Sequence, residues 1–377
     1  MVGMEQAAFK KALIFLSIGL EPIIFAVVGW YAAPYIGLGD TVGALVGVVV
    51  GFALMFWNIW RLGLSVELRA KYDVESESLR GLTSYIELER YRVTRKSDLV
   101  KVMGTSSYLQ LLNVLKEVGL IDKKFYEVDR LSEELERLKD FSQVMAEVRV
   151  RAPLEFIKVL DGLSDFFTLL SLSFALKYEV EGDVAAKCYV VPPFKLDILS
   201  PRRLVETSLE PLLANHRVRE HYSKALEEAL SRGTRRPILA LAAYSLALAS
   251  MELERLSYGR AYSDKLKELS QRLFSASLAG GEDLQTLEML KLAYPKLKSV
   301  GSSKLLEEVD ERAALKSFID ESYKLLMSSG RLRRKAEVAV SYLFVKWGEK
   351  VNLNLALAAF NKEMDVREAY ALMFFPF

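Results

Sequence analysis

The stretch that decides the fold is Ala12-Leu-Ile-Phe-Leu-Ser-Ile-Gly-Leu-Glu-Pro-Ile-Ile-Phe-Ala-Val-Val-Gly-Trp-Tyr-Ala-Ala-Pro-Tyr-Ile36. After Gly37-Leu-Gly-Asp-Thr41 it is followed by Val42-Gly-Ala-Leu-Val-Gly-Val-Val-Val-Gly-Phe-Ala-Leu-Met-Phe-Trp-Asn-Ile-Trp60. A bilayer core of about 30 Å is crossed by roughly 20 helical residues at about 1.5 Å each, and both runs reach that length. Within a bilayer the backbone must satisfy its own hydrogen bonds, so apolar runs this long are expected as helices. Residues 1–70 therefore read as a two-helix transmembrane hairpin, with spans at 12–36 and 42–60. The first run is too long for a signal-peptide core and a second follows at once, so it does not read as a cleaved leader. Lys10, Lys11, Arg61, Arg69 and Lys71 flank the pair, whereas the turn between the spans carries Asp40 and no basic residue. This asymmetry predicts a two-pass protein of the cell membrane, with both termini and the large following domain in the cytoplasm.

Two features of the hairpin carry chemistry. Gly43, Gly47 and Gly51 are spaced by four, and Gly29 and Ala33 offer a counterface at the same spacing. Small residues on one helix face let another backbone approach closely, either the other half of the hairpin or a partner helix. Glu21 lies nine residues beyond Ala12, about 13 Å into the core. An ionisable group there is costly unless neutral, paired or hydrated. Glu21 is thus a candidate ion- or proton-linked group, or a buried hydrogen-bonding residue. Pro22 beside it removes a backbone donor and frees a carbonyl about one turn earlier. In the plainer alternative the span begins at Pro22. Trp57 and Trp60 stand where interfacial anchors belong.

Ser17-Ile-Gly-Leu-Glu-Pro22, Val28-Gly-Trp-Tyr31, the three spaced glycines and Asn58-Ile-Trp-Arg-Leu62 together resemble the two-helix I/Z accessory family of ATP synthases. That resemblance implies a role in rotor-ring assembly or divalent-cation transport, with Glu21 matching the Glu of the family's first helix. Ala32 and Ala33 stand where the family usually carries an Asp.

The remaining chain, after a charged connector at 71–79, is patterned for helices nearly throughout. Leu99, Val102 and Met103, then Leu111, Leu112, Leu115 and Val118, recur at spacings of three and four. Only Ala186–Val191 suggests a short strand. Phe166–Leu176 and Ile238–Met251 are strongly apolar but shorter than a span and bracketed by charges, so they are expected as core helices. The apolar ending Leu372-Met-Phe-Phe-Pro-Phe377 either docks on the domain's own core or forms a contact for a partner. The fold class is all-α.

Composition excludes more than it assigns. The 377 residues carry a net charge of +2, one cysteine (Cys188) and two histidines. An intramolecular disulfide and a cysteine metal cluster are therefore ruled out. His216 and His221, five apart, read as surface residues. No phosphate-binding loop, His-Glu-x-x-His or nucleophile elbow occurs, so no enzyme activity, metal, cofactor or small-molecule substrate is expected. Residues 93–121 do read like a helix-turn-helix, with Ser106, Ser107 and Gln110 as groove-facing candidates. Between Leu88 and Lys124 eight basic residues meet four acidic ones. No strand pattern for a wing follows, so a membrane-anchored DNA-binding regulator is the alternative reading and nucleic acid is not the expected partner.

Leu82-Thr-Ser-Tyr-Ile-Glu-Leu-Glu-Arg90 with the Ser-Asp-Leu helix after it resembles the opening of the C/d family, the central-stalk socket proteins of archaeal-type and vacuolar ATP synthases. Asp165-Phe-Phe-Thr-Leu-Leu170, Met251–Tyr258 with Tyr262, and Glu282-Asp-Leu-Gln-Thr-Leu-Glu-Met-Leu-Lys291 are similar to further pieces. Tyr342-Leu-Phe-Val-Lys-Trp-Gly-Glu-Lys-Val-Asn-Leu-Asn-Leu355 with Asp365–Tyr370 resembles the family's end. Thr168 and Thr286 stand where the family has Asn. The resemblance implies three similar helical bundles (80–185, 186–295 and 296–377) with no active site. It makes Glu349, Asn352 and Asn354 the partner-facing candidates. Rotor-ring and central-stalk subunits are the implied partners, and the implied function is torque transmission between ring and axle.

Overall fold

The computed structural model describes residues 20–58, 79–179, 183–191, 214–232, 234–256, 260–278, 310–328 and 335–374. The outer ends of the expected spans, the connector and the Glu282–Lys291 helix lie outside these residues. The chain divides into two compact units, Met1–Glu75 and Ser76–Phe377. All regular structure among the described residues is helical.

In the first unit, α1 (Glu21–Ala32) runs into a 3₁₀ turn (Ala33–Ile36), and α2 spans Asp40–Asn58. Gly37 takes φ 73°, a conformation that costs a residue without Cβ little. Its N–H donates back to the Ala33 and Pro34 carbonyls at the start of the 3₁₀ turn, and the chain reverses there. The described part of the first segment is a short helix starting at Glu21. Pro22 lies in its first turn, where a missing N–H costs nothing.

In the second unit the described helices are α3 (Arg80–Glu89), α4 (Lys96–Met103), α5 (Tyr108–Glu117), α6 (Leu131–Lys139), α7 (Phe141–Arg151), α8 (Leu154–Glu179) and α9 (Asp183–Tyr189). They continue with α10 (His216–Arg232), α11 (Arg236–Arg255), α12 (Arg260–Leu278), α13 (Glu311–Met327), α14 (Lys335–Phe360) and α15 (Val366–Leu372). The main pair is α8 with α11. A Cβ on Gly162 would sit 2.9 Å from that of Ala249, so the glycine lets the two backbones close together. Helices α10 and α12 flank α11, and α13 joins α12 to α14.

Helix α14 is the hub. It packs on α3, α4, α6, α7, α9, α13 and α15, joining the first and third of the expected bundles through one shared core. Its Phe344 and Trp347 meet Phe166 and Phe167 of α8 with ring centroids 5.0–6.0 Å apart, in the offset and edge-on geometries that aromatic rings favour.

Three helices among the described residues are long and apolar enough to cross a membrane: Asp40–Asn58, Leu154–Tyr178 and Arg236–Arg255. Within their apolar stretches 17%, 89% and 83% of residues are buried by the protein itself. The last two contain the expected core segments Phe166–Leu176 and Ile238–Met251. Their polar residues are bonded inside the fold, as where Thr168 donates to the Ser164 carbonyl at 2.9 Å and Trp347 donates to Ser171 at 3.3 Å.

Two expectations need correction. Ala186–Val191 is not a strand: Asp183–Tyr189 is helical, with Ala186 and Tyr189 fully buried and Tyr189 stacked on Tyr178 at 4.7 Å. Packing of one helical face against α8 overrides the local β-preference of the valines beyond it. His221 is not a surface residue but half-buried, edge-on to Tyr244 at 5.8 Å. The ending docks inward as far as Phe374, which is 1% exposed and packs on Tyr189 and Trp347.

Candidate functional site

The hairpin seam is the first candidate. A Cβ on Gly29 would meet the Gly43 carbonyl oxygen and come within 3.2 Å of the Gly47 Cα. One on Gly43 would collide with Ala33, and one on Gly47 with the Phe25 carbonyl. The spaced glycines thus serve packing of the two helices on each other, the first of the two readings of that face. Gly51 and Pro22 are also buried. The Glu21 side chain lies outside the described part of the structure. Outward, the hairpin is apolar all round: Ile23, Val28, Leu45, Val49, Phe56 and Trp57 are each more than half exposed.

The second candidate builds on α14. Tyr342, Lys346, Glu349 and Lys350 fall at i, i+4, i+7 and i+8, a polar stripe along one side of a largely apolar helix. They line one side of a cavity of about 420 Å³ whose other walls come from α3, the 119–122 loop, the end of α6 and α7. Lys346 Nζ lies 2.7 Å from Glu349 Oε2, and both side chains are nearly sealed from solvent. The other oxygen of Glu349 accepts the Thr94 N–H at 3.0 Å and the Thr94 hydroxyl. Burial by itself would raise Glu349, but Lys346, Lys350 and these donors hold its carboxyl below the usual range.

On the opposite wall Tyr85 donates to Glu147, and its ring stands edge-on to that of Tyr342 with centroids 6.3 Å apart. Gln143 Nε2 also donates to Glu147, at 3.2 Å. Burial and the Glu147 contact push Tyr85 up to about 12, and burial raises Tyr342 as well. Lys350 lines the same cavity. Its Nζ donates to the Leu138 carbonyl, and burial holds it below the ordinary lysine range despite the pull of Glu349 and Asp140.

This geometry corrects the partner-facing assignment of three residues. Glu349 is 7% exposed and braces Thr94 at the entry to α4. Asn352 clamps the chain's own ending: its Oδ1 accepts the Phe374 N–H at 2.6 Å, and its Nδ2 donates to the Phe374 carbonyl at 2.7 Å. Asn354 donates to the Cys188 carbonyl at 3.1 Å. Glu349 and Asn352 are buried within the fold that surrounds α14, and Asn354 is half-buried beside them. Lys346, Lys350 and Tyr342, which line the cavity with Glu349, went unremarked in the sequence. Their four-residue spacing amid apolar positions was the signal.

The third candidate, the α4–α5 turn, is exposed but occupied by its own bonds. Ser107 caps α5 by accepting the Gln110 N–H at 3.3 Å, while Gln110 Oε1 accepts from the Ser106 backbone N–H at 3.0 Å and hydroxyl at 2.7 Å. Nearby, Lys101 pairs with Glu117 at 2.6 Å, and Lys116 stands 4.0 Å over the Tyr126 ring. No group of three or more metal-ligating side chains occurs among the described residues. No protein-family profile matches this chain, and no curated protein is significantly similar to it.

Proposed function

We propose that this chain is a non-catalytic, membrane-tethered component of an archaeal-type rotary ATP synthase, linking the rotor ring to the central stalk and carrying torque between them. The observation that carries the reading is the character of the two units. The hairpin closes its glycine seam on itself and turns an apolar surface outward, which suits lipid or the apolar lining of a ring. The helical unit spends its buried charges on braces between helices. Besides the Glu349 brace, Glu311 of α13 ties Lys177 at 2.8 Å and Arg235 to one carboxylate, joining α8, the start of α11 and α13. Buried, bonded networks of this kind stiffen a core, and stiffness is what a torque-bearing link requires. The choice of machine rests on the two sequence resemblances, which fall on separate parts of the chain.

In this reading the hairpin is the two-pass anchor, and α8 and α11, sheathed by their own neighbours, belong to a cytoplasmic unit. Purification from native membranes in mild detergent tests it: ring and stalk subunits should co-purify. Recovery of the intact protein without any ATP-synthase component would sink the proposal. Glu21 separates a structural tether from an ion-handling accessory. Glu21→Gln with unchanged assembly and unchanged ion flux makes the residue structural, whereas altered flux favours the accessory role.

A further inference from the structure

The cavity beside α14 holds a charge that the braces described above leave unmatched. Of its carboxylates, Glu349 is bound by Lys346 and Thr94, Glu147 by Tyr85 and Gln143, and Glu89 by Arg92 at 2.9 Å. Asp140 accepts the Ser142 N–H at 2.8 Å as the cap of α7, and Asp122 accepts the Lys124 N–H at 2.9 Å. Lys350 differs. It is half-buried on the cavity wall, its one hydrogen-bond acceptor is the neutral Leu138 carbonyl, and no carboxylate oxygen among the described residues stands within ion-pair distance. An ammonium can donate three hydrogen bonds, and a buried cation without a counter-ion is costly. Such a cost is tolerated where a ligand supplies the missing charge.

We propose that this cavity binds a small oxyanion, of the phosphate or carboxylate class, with Lys350 as its counter-ion. At the rim Arg137, more than half exposed and paired with Glu134 outside the cavity, adds a second cation on the approach. Gln143 and Tyr85 supply neutral hydrogen-bonding groups on the opposite wall, and Tyr342 supplies one on the α14 side. The volume admits an anion of several heavy atoms together with water. A bare divalent cation does not fit this chemistry, because the carboxylates are already bonded and Lys350 would repel it.

The charged groups that act on Lys350 are Glu349 and Lys346 on its own helix, and Asp140 and Arg137 from the helices packed against it. The arginine is charged throughout the accessible range, and Glu349 is held below the usual carboxylate range by its lysine neighbours and donors. Anion binding should therefore weaken as pH rises through the titration of Lys350, and binding should be accompanied by proton uptake there.

The test uses the full-length protein in detergent at fixed ionic strength, titrated by calorimetry with inorganic phosphate, pyrophosphate, acetate and succinate, with chloride as the salt control. One of these oxyanions should bind saturably, and Lys350→Met should weaken it by about tenfold or more. Lys265→Met, at an exposed lysine paired with Glu321, should leave it unchanged. A second readout needs no variant: the bound anion should protect Lys350 from acetylation by acetic anhydride, scored by peptide mass. The preferred anion separates the phosphate source from the carboxylate source. The proposal is overturned if none of the four binds beyond the chloride control, or if binding persists in Lys350→Met and leaves Lys350 unprotected.

Discussion

At the scale of single residues the structure turns expected contacts with a partner into internal braces, and the cost of removing them follows. Glu349 faces a buried ammonium and a backbone N–H, so Glu349→Gln leaves Lys346 without its counter-ion. The expected loss is about 3 kcal/mol of unfolding free energy. A double variant, Lys346→Met with Glu349→Met, should recover part of it, since a buried pair replaced by apolar side chains is often near neutral. Urea unfolding of the three proteins checks this, and a double variant no better than the single one refutes the brace. Asn352→Ala strands both backbone groups of Phe374 and should cost about 2 kcal/mol. Asp165 supplies a pH signature. It is fully buried on α8, where burial pushes it up to about 7 although the N–H groups of Ala214 (2.6 Å) and Asn215 (2.7 Å) favour the carboxylate. With the folded value above the unfolded one, the folded state holds the extra proton between pH about 4 and 7. This contribution to stability is complete below about pH 4 and is lost as pH rises through 7. Glu311 and Glu349, held below their usual range, act with the opposite sign and are lost only in acid. Asp165→Asn should flatten the fall between pH 5 and 7.5, and denaturation midpoints at the two pH values decide it.

At the scale of elements the glycine seam gives the sharpest expectation. A side chain at Gly47 meets the Phe25 backbone, which cannot swing aside as a long side chain can. Gly47→Leu should pry α1 from α2, whereas Gly39→Ala, with open space around its would-be Cβ, should be silent. Cysteine cross-linking of Ala26 to Val48 across the seam would report it, with a strong loss only in the Gly47 variant. This seam was legible because small residues at a spacing of four admit few other uses in an apolar helix. The all-helical pattern was legible from apolar spacing, but Phe166–Leu176 and Ile238–Met251 lie in helices long and apolar enough to cross a membrane, so their length did not mark them as core; burial by their neighbours does. What stayed hidden was non-local. Whether Asn352 meets a partner or Phe374 depends on how residues 373–374 fold back, and no spacing encodes that return. Ala186–Val191 misled because six residues ending in two valines satisfy a strand pattern, while the stacking of Tyr189 on α8 that favours helix over Asp183–Tyr189 lies outside the window. The cavity escaped for the same reason: its α14 wall is periodic, but the other walls come from segments more than 180 residues away in sequence.

At the scale of the whole molecule the question is which of three apolar helices meets lipid. Hydropathy alone cannot rank them, because α8 and α11 pass the same length and composition criteria as α2. Burial ranks them: α2 keeps its apolar surface outward, while α8 and α11 spend theirs on each other and on their neighbours. A helix sheathed in protein gains nothing from entering a bilayer, and the buried polar groups Asp165 and Ser171 find their partners on other elements of the fold. Residues 76–377 expressed without the hairpin should therefore stay in the aqueous phase and unfold in one cooperative transition. The full chain should remain in the membrane pellet after alkaline carbonate extraction. Partition of the shortened chain into detergent, with helix content recovered only there, would make α8 and α11 membrane spans and require a different topology. Cooperative melting in plain buffer would leave the hairpin as the anchor and the remaining helices as an independently folding unit.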